Sequence, residues 1–185
     1  MKRTVIAKLM TLILPLGLLS GAAHADLLLE PYVGYMPMGK IHYTGASEET
    51  LSGVIYGARV GYSNMLGLQL GVDYSTGALK DSDSPTTEYT PSNLAAFVGW
   101  DFPILLRVWA GLGLSSKFEA VNSGQTWTIE DGAKYMKVGV GFTPLPLISL
   151  NLEYVTTQHD LPAAIGTGTM SSNGLVLGAS LPFDL

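Results

Sequence analysis

Isolated charged side chains occur within otherwise apolar segments of this 185-residue sequence. Counting outward from the intervening turns places three opposite-charge pairs side by side on neighbouring strands: Asp101 with Arg107, Lys137 with Glu153, and Glu30 with Arg59. Side chains that face each other across neighbouring strands lie about 5 Å apart, so each pair is predicted to form a salt bridge. Together with Asp73, these residues are predicted to form one buried charge network.

Catalytic and metal chemistry find little support in the sequence. The histidines outside the N-terminal leader are His42 and His159, and Ser171 and Ser172 follow His159 without a His-x-Ser spacing or a nucleophile held on a strand. We therefore predict that His159 is a solvated loop residue and that the protein has no catalytic residues. Cysteine is absent and no loop has an EF-hand spacing, so we expect no metal site and no cofactor.

The N-terminus has the pattern of a cleaved secretory signal peptide. Lys2, Arg3 and Lys8 precede an apolar run over residues 9–19, and small residues lead to Ala25. The run is too short for a membrane-spanning helix, which needs roughly 20 residues. Cleavage after Ala25 leaves residues 26–185 as a single domain with 7 basic and 15 acidic residues, a net charge of −8. That balance argues against a nucleic-acid partner.

Alternating apolar and polar residues dominate the rest of the chain. In residues 66–75 one face carries Leu66, Leu68, Leu70, Val72 and Tyr74, and the other carries Gly67, Gln69, Gly71, Asp73 and Ser75. Seven further segments share this period: residues 27–36, 53–62, 93–102, 105–115, 133–142, 147–156 and 174–185. Because a period of two indicates a β-strand with one apolar face, the sequence predicts eight antiparallel strands of about ten residues. Pro31 and Pro182 predict an irregularity where the first and last strands meet.

The connections alternate between short turns, such as residues 103–104, and polar loops of about 16 to 18 residues, such as residues 76–92. Short periplasmic turns and four long extracellular loops are typical of an all-β, up-and-down transmembrane barrel.

Strand glycines fall on the polar face, which indicates that this face is the crowded interior. The apolar face then meets lipid, with a predicted aromatic girdle of Tyr35, Tyr62, Tyr74, Trp100, Phe102, Phe142, Tyr154 and Phe183. Four large inward residues are predicted to plug the barrel beside the charges: Tyr32, Phe97, Trp109 and Tyr135.

The chain resembles the small eight-stranded outer-membrane barrels, a group that includes the OmpA membrane domain, OmpX and the Opa adhesins. The resemblance rests on the signal peptide, the opening segment at residues 29–35, the Gly-x-Arg-Val-Gly-Tyr pattern at residues 57–62 and the last strand. Such proteins commonly end on an aromatic residue that the barrel-assembly machinery reads, whereas this chain ends on Leu185 with Phe183 two residues before it.

This resemblance implies a non-enzymatic protein of a Gram-negative-type outer membrane, in contact with outer-membrane lipid, lipopolysaccharide and the assembly machinery. Its loops would support envelope integrity or bind an extracellular surface ligand. The alternative is a narrow channel or transporter for ions or small apolar solutes, as in the OmpW-like group. A lipid-modifying enzyme is the third possibility.

Overall fold

Strands joined by turns make up the residues that the computed structural model describes: 25–45, 48–82, 87–122, 124–130, 132–145, 147–161 and 168–185. Ten strands follow in chain order: β1 Ala25–Tyr43, β2 Glu49–Asn64, β3 Leu68–Asp81, β4 Thr87–Phe102, β5 Leu106–Asn122, β6 Gln125–Ile129, β7 Lys134–Leu145, β8 Ile148–Asp160, β9 Thr169–Ser180 and β10 Phe183–Asp184. No helix in these ranges is both long enough and apolar enough to cross a membrane. The predicted signal peptide lies almost wholly outside the described residues.

Eight of the strands close into an antiparallel barrel. Each long strand pairs with its neighbour in chain order, and β1 also pairs with β9, so that the sheet has no free end at the seam. The short strand β6 folds back on the upper end of β5, and β10 pairs with the start of β1. The predicted eight-stranded up-and-down barrel is therefore confirmed.

The seam contains the irregularity that the prolines predict. β9 ends at Ser180 and pairing resumes only at Phe183, so residues 181–182 interrupt the last strand at Pro182. The backbone N–H of Leu181 donates to the carbonyl of Pro31 at 3.0 Å, which holds the two strands together across the break. Proline lacks a backbone donor, and the interruption falls where that donor is missing.

The outer face of the barrel is apolar, and its aromatic residues point outward. Seven of the eight girdle residues expose between 40 and 63% of their surface, and Phe183 is half-buried. A tilted strand climbs roughly 2.6 Å per residue, so the stretch from Asp26 to Tyr35 spans about 23 Å. This height matches a lipid-facing band of about 25 Å. We call Tyr35, Tyr74 and Tyr154, which lie toward the loop end of their strands, the upper tyrosines.

The strands continue well beyond this band, which differs from the sequence prediction. β3 runs to Asp81 and β4 begins at Thr87, so most of the segment expected as a loop over residues 76–92 lies in these two strands. Near the upper tyrosines, the apolar residues of β3 move from outward-facing, even-numbered positions to inward-facing, odd-numbered positions. Val72 and Tyr74 face outward, whereas Leu79 faces inward and is 3% exposed. This inversion interrupts the pattern in the sequence, although the backbone remains extended.

In two strands, a shift in the pairing register also changes which side chains face inward. β1 is irregular between Met36 and Gly39, and the pairing of β4 with β5 shifts between Leu94 and Ala95. Below these points Tyr32 and Trp109 face inward, and above them Ile41 and Phe118 do so. An extra residue in a strand moves every later side chain to the opposite face. The bulges thus help to turn apolar side chains such as Ile41 and Phe118 into the upper interior.

Candidate functional site

Arg59 lies at the centre of the barrel interior, where the antiparallel register brings charged residues from several strands to one level. Its Nη1 lies 2.9 Å from Glu30 Oε1 and its Nε lies 3.1 Å from Asp73 Oδ2. It also pairs with Glu153 from the opposite wall. The guanidinium is 1% exposed, so three carboxylates from three strands compensate one buried cation.

Lys137 and Arg107 extend this cluster on either side. Lys137 Nζ donates to Asp73 Oδ2 at 2.8 Å and to the hydroxyl of Tyr32 at 2.9 Å, and lies 3.6 Å from Glu153 Oε2. On the periplasmic side, Arg107 contacts three residues. Its Nη1 lies 2.8 Å from Glu30 Oε1, its Nη2 donates to Gln69 Oε1 at 2.9 Å, and its Nε lies 3.2 Å from Asp101 Oδ1. The three pairs expected from turn counting lie within ion-pair distance. We call the seven charged residues and their polar partners the charged layer.

Large aromatic residues fill the space around the charges. Tyr32, Phe97, Trp109 and Tyr135 are all at most 8% exposed. The guanidinium carbon of Arg59 lies 4.3 Å from the centre of the Trp109 ring and 4.8 Å from that of Tyr32. Cations over aromatic faces are stabilised by the ring quadrupole, most strongly where water is excluded.

Two glycines make this arrangement possible. A Cβ at Gly57 would collide with the ring of Tyr32, and a Cβ at Gly139 would collide with that of Trp109. Both glycines therefore lie where a large neighbour occupies the space of a side chain. These contacts give a physical reason for glycine at these two inner positions.

The upper interior is apolar, which sequence analysis missed. Ten buried side chains form one cluster above the charged layer: Met36, Ile41, Leu51, Ile55, Leu79, Tyr89, Phe118, Ile129, Met170 and Val176. Many of these residues fall in segments that the sequence predicted as polar loops. The sequence does contain a signal for this cluster: apolar residues move to the inward-facing positions of the strands, as at Leu79 beside the outward-facing Lys80. We call this cluster the apolar layer.

His159 belongs to this upper interior, and the prediction of a solvated loop histidine is wrong. It lies on β8 with no exposed surface, and its Nε2 is 3.1 Å from Ser116 Oγ. The Ser116 hydroxyl also lies 2.6 Å from Asn93 Oδ1, to which it donates. His159 is buried because β8 extends beyond the predicted end of the strand at residue 156.

A small cavity separates the two layers. Its volume is about 40 Å³, with Lys137 and Glu153 on its lower side and Leu79 and Phe118 on its upper side. This space suits one or two water molecules, not a solute. Within the described ranges, no group of three His, Asp or Glu side chains is arranged to hold a metal ion.

The outer surface above the lipid-facing band is polar and carries paired charges. Three lysines lie near glutamates there: Lys40 and Glu48 at 2.8 Å, Lys80 and Glu88 at 3.1 Å, and Lys117 and Glu119 at 2.6 Å. In the first pair, the hydrogen bond from Lys40 lowers the pKa of the Glu48 carboxyl, and the same bond raises the pKa of Lys40. These solvated pairs contrast with the enclosed pairs around Arg59.

Comparisons with known proteins agree with this architecture. The family described as outer membrane protein beta-barrel domain matches residues 11–183. No curated protein matches the sequence.

Among solved structures, Neisserial surface protein A is 16% identical with a TM-score of 0.59, over 86% of this chain and 99% of that one. Ail, the attachment invasion locus protein of Yersinia pestis, is 14% identical with a TM-score of 0.59, over 85% of this chain and 99% of that one. Ail in complex with the heparin analogue sucrose octasulfate is similar at 14% identity with a TM-score of 0.57, over 85% of this chain and 99% of that one. At these identities the likeness concerns the fold.

Proposed function

The chain belongs to the outer membrane protein beta-barrel domain family, and from this premise we propose that it is a closed, non-enzymatic barrel that acts at the cell surface through its extracellular end. It is an outer-membrane protein with a lipid-facing band of apolar side chains. Once inserted, the barrel displays its loops and seals its own interior.

The filled interior is the observation that carries this proposal. A solute that crossed the barrel would have to pass Arg59, held by three carboxylates, and then Phe118, which is 2% exposed inside the apolar layer. Moving buried, paired charges apart costs several kcal/mol. Because the charged layer and the apolar layer both lie across the path, the interior favours a closed barrel over a conduit.

We also propose that the barrel has no enzyme activity. Ser116 and His159 lie within hydrogen-bond distance, but they are 4% and 0% exposed inside the barrel. A nucleophile and its base must reach a substrate, and a buried hydroxyl that already donates to Asn93 is poorly placed for attack. We assign Ser116 and His159 a packing role.

We propose that the surface ligand is not a polyanion. Ail was crystallised in complex with a sulfated heparin analogue. In this chain, three of the four lysines on the outer surface, Lys40, Lys80 and Lys117 but not Lys134, lie at most 3.1 Å from a glutamate, which offsets the charge that a sulfate would need. The predicted mature net charge of −8 adds repulsion. A neutral or cationic surface partner fits this end better.

Conductance across a planar lipid bilayer tests the closed barrel. We expect the purified, folded protein to give a current close to that of the bare bilayer. Arg107→Ala leaves Asp101 without its cation, although the hydrogen bond from Gln69 remains, and loosens the lower side of the charged layer, but the apolar layer still blocks the path. The variant should therefore remain closed, with heat-dependent gel migration as the control for folding.

The narrow conduit predicts a different outcome. If the charged layer exchanges partners to admit ions, wild type should show steady conductance and Arg107→Ala should increase it. That result would replace the closed barrel with the channel.

A further inference from the structure

The three short turns at the periplasmic rim are apolar and exposed. Each carries two aliphatic residues: Met65 and Leu66, Ile104 and Leu105, and Leu145 and Leu147. Their exposed fractions range from 53 to 78%, with Met65, Leu66 and Ile104 above 70%. We call these six residues the rim crown. Turns that face water are normally built from polar residues, so the rim crown needs an explanation.

We infer that the rim crown is immersed in the inner leaflet of the outer membrane, so that the lipid-facing surface continues around the ends of the strands into the turns. The occupant of this surface is phospholipid. The aromatic residues of the lower girdle, such as Tyr62 and Phe142, then lie above the lower edge of the apolar surface and do not mark it.

Continuity with the lipid-facing band supports lipid as the occupant. Met65 and Leu66 follow the outward Tyr62 and lead to the outward Leu70 of the next strand, so one apolar surface passes through the turn. The turns at residues 104 and 147 extend the band from Phe102 and Phe142 in the same way. No charged residue occurs in residues 63–67, 103–105 or 143–147.

The distribution of the rim crown also favours a planar medium. Its three turns join β2 to β3, β4 to β5, and β7 to β8, and so lie around the circumference of the rim. A protein partner with one apolar groove would need one patch on one side of the barrel. A leaflet surrounds the barrel and can contact turns on several sides of it at once.

The backbone of the turns is suited to an apolar medium. The Asn64 side-chain oxygen accepts hydrogen bonds from the N–H groups of Leu66 and Leu68, each at 3.0 Å. Gly67 N–H donates to the Asn64 carbonyl at 2.8 Å, and its own carbonyl accepts from Asp101 N–H at 2.8 Å. At the second turn, Thr143 N–H donates to the carbonyl of Leu105 at 2.8 Å. Polar backbone groups that have internal partners can leave water at low cost.

Single cysteines make the inference directly testable, because the native chain has none. The variants Leu66→Cys, Ile104→Cys and Leu147→Cys carry a nitroxide label in vesicles of phosphatidylethanolamine and phosphatidylglycerol. Val98→Cys, in the middle of the band, and Gln125→Cys, on the exposed strand β6, are the lipid and water references. The measurement is the collision rate of each label with oxygen, which concentrates in lipid, and with a nickel chelate, which stays in water.

We expect the three turn labels to give an oxygen-to-nickel ratio several-fold above that of Gln125→Cys and closer to that of Val98→Cys. Ratios equal to that of Gln125→Cys would overturn the inference, since the turns would then lie in water. Dipolar broadening that disappears on dilution with unlabelled protein would also overturn it, because a second copy would be the occupant. The Val98→Cys ratio and heat-dependent gel migration show that each variant is inserted and folded.

Discussion

The charged layer and the apolar layer occupy the same barrel but follow opposite rules. Around Arg59 the interior is charged and the outer surface is apolar, with Val72 and Tyr74 facing outward. Around Phe118 the interior is apolar, and Lys80 and Glu88 on the outside reach solvent. The barrel therefore changes near the upper tyrosines from a membrane barrel to one organised like a soluble β-barrel.

This difference shows that the surroundings of the wall determine which side must be apolar. Within the membrane, lipid requires an apolar outer face, and the polar residues left for the interior must pair with one another. Above the membrane, water solvates the outer face and apolar residues gain by facing inward. The same strands satisfy both conditions because the residues on their inner face change from charged to apolar, as β3 does from Asp73 to Leu79.

Loss of the central cation should have the largest effect on stability and should set the charged layer apart. Arg59→Met leaves Glu30, Asp73 and Glu153 without their shared partner, so we expect a loss of about 4 kcal/mol in the free energy of unfolding. Urea titration in lipid vesicles, followed by tryptophan fluorescence, measures this change. Lys80→Met, which removes one member of an exposed pair, is the matched control, with an expected loss of at most about 1 kcal/mol. Equal losses in the two variants would show that burial does not distinguish the pairs.

Truncation of the apolar layer should have a smaller effect of a different kind. Phe118→Ala removes a buried ring that lies 5.5 Å from Tyr89, centre to centre, and leaves a cavity. We expect a loss of about 3 kcal/mol, independent of salt because no charge is involved. The same urea titration at low and high salt tests this, with the exposed Val121→Ala of the same strand as control. A loss that changed strongly with salt would contradict the division into two layers.

The comparison also explains which features could be predicted from the sequence. Within the membrane, the strict period of two and the distance from each turn were enough to predict strands, lipid-facing residues and ion pairs such as Asp101 with Arg107. Above the membrane, apolar residues switch to the inner face and a bulge follows Met36, so neither the alternating pattern nor the distance from a turn predicts which residues face inward. The sequence pattern therefore predicts loops where the upper strands lie, and it predicts a solvated His159. The wider contacts of Arg59 depend on how strands meet across the barrel, which no local spacing encodes.

The smallest expected effect concerns the exposed pair Lys40 and Glu48. The hydrogen bond from Lys40 lowers the pKa of Glu48, so Lys40→Met should raise that pKa toward its ordinary value, which carboxyl NMR titration can follow. Because the folded pKa lies below the ordinary value of 4.5, the pair stabilises the protein at neutral pH, and this contribution is lost as the pH falls through the folded pKa. Both side chains are more than half exposed, so the urea midpoint at neutral pH should not change measurably. A midpoint that moved as far as that of Arg59→Met would mean that the upper surface depends on its ion pairs as the charged layer does.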